Sequence, residues 1–370
     1  MKRMCKGKHV PIPIFDYSLL MIIIALLLFG LLMLYSTSAY NGLAKFNDEM
    51  YYLKKQLFAT ALGLAGMYAV SRMDMTVWYR LALPMYLAAI CLCTAVLFIG
   101  RSLNNSKRWI YIGPISFQPS EFAKVAIIVF LAAVISRTPQ SMGKLRSIVK
   151  VMVLTLPLFA LVAVNNLSTA IIILGIAATL VFVSSPRYVP FLGLIGVVLA
   201  AGVVFIRMES YRLGRIEAWL DPENAASGYQ IVQGLYAIGS GGIFGKGLGM
   251  SMQKLGFVPE AQNDMVYSII CEELGLCGAA FVILLFAFMI WRFFVIASGM
   301  TDLFSFLVVI GVMAHIAIQV LLNIAVVTNT IPNTGITLPF ISYGGTSICF
   351  LLIELGIVLR ISGQMRGDKV

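Results

Sequence analysis

The sequence predicts an all-α, polytopic integral membrane protein of about ten transmembrane helices. Three observations predict it. Of 370 residues, 60% are hydrophobic and only 12% charged, where a soluble chain carries roughly 25% charge. The mean hydropathy is +0.93. The apolar residues come in runs of about 20, the length that crosses a bilayer as a helix, and the charges gather at the ends of those runs. The net charge of +11 therefore reads as a topology signal rather than a nucleic-acid-binding stripe. No nucleic-acid partner is expected.

Residues 1–370 read as one membrane domain. The first apolar run, 16–36, follows Lys2, Arg3, Lys6 and Lys8. It exceeds the roughly 7–15 residues of a signal-peptide core, so it reads as an uncleaved anchor. Further runs lie at 56–71, 81–100, 120–136, 148–164, 168–185, 189–206, 265–297, 303–328 and 346–362. With the N-terminus in the cytoplasm, that side holds fifteen cations: the four above, Arg72, Arg80, Arg137, Lys144, Arg146, Lys150, Arg187, Arg292, Arg360, Arg366 and Lys369. The short outer connections hold six: Lys45, Lys54, Lys55, Arg101, Lys107 and Arg108. This bias predicts a multi-pass membrane protein with both termini in the cytoplasm. It also puts the longest connection, 207–264, between the seventh and eighth spans on the outer face. Within it, Ile216, Trp219 and Leu220 recur at helical spacing beside Arg212, Arg215 and Glu217, a pattern for a short interfacial helix.

Only two histidines exist, His9 and His315, which removes most triad and His-ligated metal chemistry. The six cysteines form no CxxC pair and read as small buried hydrophobes. No cofactor is identified, and a divalent cation is compatible but not demanded. Four segments remain as sources of chemistry. Gly239-Ser240-Gly241-Gly242-Ile243-Phe244-Gly245-Lys246-Gly247 fails the GxxxxGK[ST] pattern, so it is either a plain turn or a phosphate cradle with Lys246. In Pro259-Glu260-Ala261-Gln262-Asn263-Asp264, a carboxylate stands where a helix enters the bilayer. It is either a boundary residue favouring the helix N-terminus or a base whose pKa burial raises. Glu272 and Glu273, two turns deeper, need partners and are expected to be structural.

The third segment is Lys107-Arg108-Trp109 with Phe117-Gln118-Pro119-Ser120-Glu121 and Lys124. Ser120 reads as a helix N-cap, and Glu121 with Lys124 as an i,i+3 pair. The whole is either an interface anchor or a cationic lining for an anionic lipid-linked substrate. The fourth, Pro339-Phe340-Ile341-Ser342-Tyr343-Gly344-Gly345-Thr346, permits a tight turn and dictates no chemistry by itself.

Together, RWIYIGPISFQPSEFAK, YRLGRIEAWLDPENAASGYQIVQGLYAIGSGGIFGKGLG, PEAQNDMVYSIICEELG and LPFISYGGTS resemble one family. It is the SEDS group (shape, elongation, division and sporulation) typified by FtsW, RodA and SpoVE. Asp16 and GLLMLYSTSAY look more like the FtsW and SpoVE branch. The resemblance implies a ten-helix enzyme of the bacterial cytoplasmic membrane that polymerises the lipid-linked precursor, lipid II, into glycan strands, with a class B penicillin-binding protein as partner. It puts the catalytic aspartate on Asp264. Family substrate elements fall on Arg108, Trp109, Gln118, Pro119, Ser120, Glu121 and Lys124, and its motifs add Glu260, Ser342 and Tyr343. The sequence departs from the family pattern at Met265, where an aromatic residue is usual, at Thr346, where Ser is common, and at Asn166, where many relatives carry an aspartate.

The chemistry implied fits the residues available. A polyprenyl diphosphate is a good leaving group, so an inverting displacement needs one base and some cations, not two carboxylates. Asp264 is the expected base, and Arg108, Lys124, Arg212, Arg215 and Lys246 are candidate diphosphate ligands. The alternatives are a lipid II flippase, which would show transporter-like repeats, and an inactive division scaffold, for which Asp264 is dispensable.

Overall fold

The structure, a computed structural model, describes residues 15–103, 106–112, 115–186, 210–225 and 228–364. Helices occupy the apolar runs: α1 (Tyr17–Phe46), α2 (Tyr51–Ser71), α3 (Met75–Ile99), α4 (Pro119–Arg137), α5 (Leu145–Asn165) and α6 (Leu167–Ser184). Two shorter helices follow, α7 (Ser210–Leu220) and α8 (Tyr229–Gly241), then α9 (Val266–Ser298), α10 (Leu303–Val327) and α11 (Gly345–Ser362). Among the described residues, eight helices are long and apolar enough to cross a membrane. α2 has the length, at 21 residues, but its first turns carry Lys54, Lys55 and Gln56. The expected span at 189–206 lies outside the described residues.

α1 continues ten residues past its expected end. The Ser36-Thr37-Ser38 run reads as a boundary, yet all three are buried. The Thr37 hydroxyl donates to the Met33 carbonyl at 2.9 Å, so the helix itself absorbs the polar group. Ser120 is not the cap its position suggests. α4 begins one residue earlier, with Pro119 in the first turn and Gln118 at the cap, because proline has no amide to leave unpaired there. Between α3 and α4 lies a three-stranded antiparallel sheet absent from the sequence reading: β1 (Arg101–Leu103), β2 (Ser106–Ile112) and β3 (Ile115–Phe117). β1 and β3, three residues each, are too short to register as a period-2 pattern, and the seven residues of β2, SKRWIYI, run polar then apolar without alternating.

α4 sits at the centre, buried along most of its length, and packs on α3, α6 and α10. α2 lies along α11, where Gly63 lets Cys349 and Leu352 approach its backbone. One end of the bundle is tied by Asp16. Its side chain caps α1 at the Leu19 amide, 2.9 Å, and pairs with Arg292 of α9, while its amide donates to Ser362 of α11.

α9 is broken inside. Gly275 has φ 64° and ψ −162°, a region open essentially to glycine alone. The break strands four backbone groups in an apolar setting, where each would be costly. The glycine run satisfies all four. Leu276 and Cys277 donate to the carbonyls of Gly242 (3.0 Å) and Ile243 (3.1 Å), while Lys246 and Gly247 donate to those of Glu272 and Glu273, both 2.9 Å. The segment therefore runs beside α9 as a splint. Gly275→Ala is expected to cost roughly 1–3 kcal/mol in backbone strain, and more because its Cβ meets the backbone of Ile243 and Gly245. Thermal unfolding in detergent measures this, and an unchanged midpoint would contradict it.

Candidate active site

Asp264 closes the connection before α9 and is half-buried. Asn323 of α10 holds its backbone, donating to the Asp264 carbonyl at 2.9 Å and to the Ile336 carbonyl at 2.7 Å. Gln230 of α8 reaches the carboxylate at 3.4 Å, and Asn333 in turn donates to Gln230 at 3.2 Å. Burial pushes the Asp264 carboxyl up from 3.8 to about 6. Its own amide opposes that, the nearby Glu260 carboxylate reinforces it, and Arg215 and Gln230 oppose it. Arg215 comes from α7 and donates to the Asn333 carbonyl at 3.0 Å. Trp219, one turn on, donates to the Asn329 carbonyl at 3.0 Å. The expected interfacial helix thus exists and is pinned to the connection between α10 and α11. Arg212 lies on it, but its side chain falls outside the described residues.

A second polar group lies deeper, around α4. Lys124, 2% exposed, pairs with Glu121 at 3.1 Å, and Glu121 also meets Ser347 of α11. Lys124 donates to the Gln319 side-chain oxygen at 3.0 Å. The Gln319 amide nitrogen donates to the Thr337 carbonyl at 3.0 Å, which fixes the orientation of the amide. His315 Nε2 lies 3.0 Å from the same Gln319 oxygen. That oxygen only accepts, so Nε2 carries a hydrogen. His315 Nδ1 lies 2.8 Å from Glu354. Gln319 and Asn323 are four residues apart on one face of α10, a rise of about 6 Å. They hold Thr337 and Ile336, consecutive residues of one strand-like segment. Lys124 is thereby set about one helical turn below the Asp264 backbone.

The other expected site residues take varied positions. Arg108 Nε donates to the Asn165 carbonyl at 2.7 Å. Trp109 lies opposite Arg101 in the sheet, half-buried. Gln118 donates to Ser120 at 3.1 Å. Glu260, at φ 52°, pairs with exposed Lys45 at 3.4 Å. Ser342 accepts from the Leu338 amide at 2.8 Å and braces its own turn. The Tyr343 amide donates to Gln262 at 2.9 Å, and its ring meets Tyr52 edge-on, 5.0 Å apart.

Lys246 departs from the expectation for it. Its ammonium pairs with the fully buried Glu272 at 2.7 Å, so its charge is compensated within the protein. Glu273 pairs with Lys254 at 2.7 Å and accepts from Ser36 at 2.7 Å; both glutamates have the partners that their depth requires. Asn166, where the family pattern has an acid, caps α6 by accepting from the Thr169 amide at 3.2 Å, a task Asn performs as well as Asp. Gln230, Asn323, Asn333 and Gln319 escaped the sequence reading. For the last, the signal was there: polar residues four apart in an apolar run mark one inward face.

The chain matches the FtsW/RodA/SpoVE family model, described as cell cycle protein, over residues 17–367. Stage V sporulation protein E of Bacillus subtilis is 39% identical over 359 residues, covering 95% of this chain and 98% of that protein. A probable peptidoglycan glycosyltransferase FtsW of Trichlorobacter lovleyi is 36% identical over 362 residues, covering 95% and 94%. Among solved structures, a chain from a peptidoglycan synthase complex that coordinates polymerization and crosslinking aligns with a TM-score of 0.80 at 27% identity, covering 94% of this chain and 98% of that one. The crystal structure of the rod shape determining protein RodA of Thermus thermophilus aligns at 0.70 and 25%, covering 94% and 97%. Matched from end to end in sequence and in fold, the chain belongs to the FtsW/RodA/SpoVE family of membrane proteins.

Proposed function

We propose that this chain is a peptidoglycan glycosyltransferase that polymerises lipid II on the outer face of the cytoplasmic membrane, with Asp264 as its general base. One observation carries the base assignment: a half-buried carboxylate whose pKa burial raises to about 6 stands beside a cation where a helix begins. A base works best when its pKa approaches the working pH. The acceptor sugar's hydroxyl oxygen attacks the donor's anomeric carbon, the bond from that carbon to the diphosphate breaks, and the hydroxyl proton passes to Asp264. The polyprenyl diphosphate leaves as an anion.

Arg215 is the best-placed cation for that charge, since it already lies in the field of Asp264. Arg108 and Lys124 line the same end of the bundle, and Arg212 shares α7 with Arg215. Lys246 and Lys124 are both held by carboxylates, Glu272 at 2.7 Å and Glu121 at 3.1 Å, so a diphosphate would have to compete with those partners for either one. Gln118, Ser120, Ser342 and Tyr343 shape the surrounding turns, with Trp109 offering a ring to a sugar. Among the described residues no three His, Cys, Asp or Glu side chains cluster as metal ligands. The positive-inside count supports cytoplasmic termini. The likeness to a synthase complex that couples polymerization to crosslinking supports a class B penicillin-binding protein as partner.

The test is purified protein reconstituted in vesicles with labelled lipid II, with and without that partner. Glycan polymer is the expected product. Labelled lipid crossing the bilayer without glycosidic bonds would make the chain a flippase instead.

A further inference from the structure

At the end of the bundle opposite Asp264, the turn between α4 and α5 encloses a cavity of about 290 Å³. Arg137 and Lys150 stand at its rim, Thr138, Ser141 and Ser147 supply hydroxyls, and Leu154 lies in its apolar floor. None of this belongs to the glycosyl-transfer site. Tyr79 of α3 pins Arg137 in two ways. Its hydroxyl accepts from Arg137 Nε at 3.0 Å, and its ring lies 5.2 Å from the guanidinium carbon. These two contacts hold the guanidinium through Nε and its flat face, and use neither terminal nitrogen as the donor to Tyr79.

Along the α4–α5 segment the charge is of one sign, and the carboxylates at the starts of α3 and α10 are engaged, Asp74 with Arg360 and Asp302 with the Ser305 amide. Between Glu121 and Glu209 the sequence holds no Asp or Glu, and Lys144 and Arg146 flank the cavity's residues. Arg137 and Lys150 have no carboxylate partner among the described residues, and cations around a concave, hydroxyl-bearing site suit a phosphate-type anion. The outward face of α5 says which kind. Leu145, Val149, Val153 and Leu156 are all at least half exposed or nearly so and fall at i, i+4, i+8 and i+11. They make one apolar stripe running from the cavity along the helix. This stripe faces the bilayer, so a lipid whose phosphate entered the cavity would have its acyl chains beside it.

We propose that this cavity binds the headgroup of an anionic phospholipid, a phosphodiester held by Arg137 and Lys150 with its acyl chains along α5. Basic pockets between helices at the cytoplasmic surface suit such headgroups. The proposal needs the chain to cross the membrane but does not depend on its catalytic chemistry.

Native mass spectrometry of the full chain, released from detergent after equal loading with phosphatidylglycerol and phosphatidylcholine, tests it. Wild type is expected to retain phosphatidylglycerol selectively. Arg137→Ala with Lys150→Ala should weaken that retention by about thirty-fold, given the attraction each cation near the surface supplies. Arg137→Lys with Lys150→Arg, which keeps both charges and checks folding, should retain most of it. Arg72→Ala with Arg80→Ala removes two exposed cations from the same end, away from the cavity, and should leave retention unchanged. Equal loss in both alanine doubles would reduce the effect to diffuse surface charge and overturn the site. So would equal retention of the two lipids by wild type. Displacement of the lipid by millimolar inorganic phosphate would overturn the lipid assignment in favour of a soluble anion.

Discussion

Asp264→Ala is expected to insert and fold like the wild type and to lose lipid II polymerisation by about 10²–10⁴-fold, the usual worth of a general base. The carboxylate acts only when ionised. With its pKa near 6, the wild-type rate should fall about tenfold per pH unit below 6 and level off above it. An ordinary carboxylate near 3.8 would keep that plateau down to much lower pH. The same shift has a stability consequence of opposite sense. Because the folded-state pKa is raised above 3.8, this group's favourable contribution is fully present at low pH and is lost as pH rises through 6. Asp264→Asn removes the ionisation while keeping the shape. It should therefore raise the melting temperature above pH 6, and the gain should vanish below about pH 4. Polymerisation assays and melting curves from pH 4 to 8 measure both effects. Retained polymerisation in the alanine variant would remove Asp264 from the chemistry.

Glu273→Ala is expected to destabilise the protein by about 3–5 kcal/mol, enough to threaten assembly. The substitution leaves the Lys254 ammonium 8% exposed with only the Ser36 hydroxyl, 2.8 Å away, to stabilise it. Lys254→Ala should cost a similar amount by stranding a fully buried carboxylate. Replacing both, Glu273→Met with Lys254→Met, should recover most of the loss, because the large penalty belongs to the unpaired charge rather than to the pair. Lys45→Ala is the contrast. Its partner Glu260 is about half exposed at 49%, and a solvated pair is worth at most about 1 kcal/mol. Thermal unfolding of the four variants in one detergent ranks them. A single variant as stable as the double would mean that the pair is not a coupled unit.

The spans were legible because helix-forming apolar runs are local: nine of the ten expected segments coincide with helices, and the tenth lies outside the described residues. The α7 helix was legible for the same reason, from Ile216, Trp219 and Leu220. The first span was expected to end at 36, within the polar run Ser36-Thr37-Ser38, and the helix runs on to Phe46. The Ser36 hydroxyl meets Glu273, 237 positions away. The sheet at 101–117 left no period-2 trace to read.

The sequence alone therefore determined the membrane-spanning helices and the gathering of charge at their ends, and its resemblance to a family singled out Asp264. Each of these rests on spacing or composition within a single segment, or on a motif whose residues stand close together. Only the tertiary structure decided which polar groups share a site. It gave Lys246 to Glu272, surrounded Asp264 with Gln230, Asn323 and Arg215, and joined His315 and Glu354 beneath Lys124. Partners for buried polar groups are chosen by packing, since an unpaired one is costly wherever it lies. Spacing along the chain carries no record of that choice.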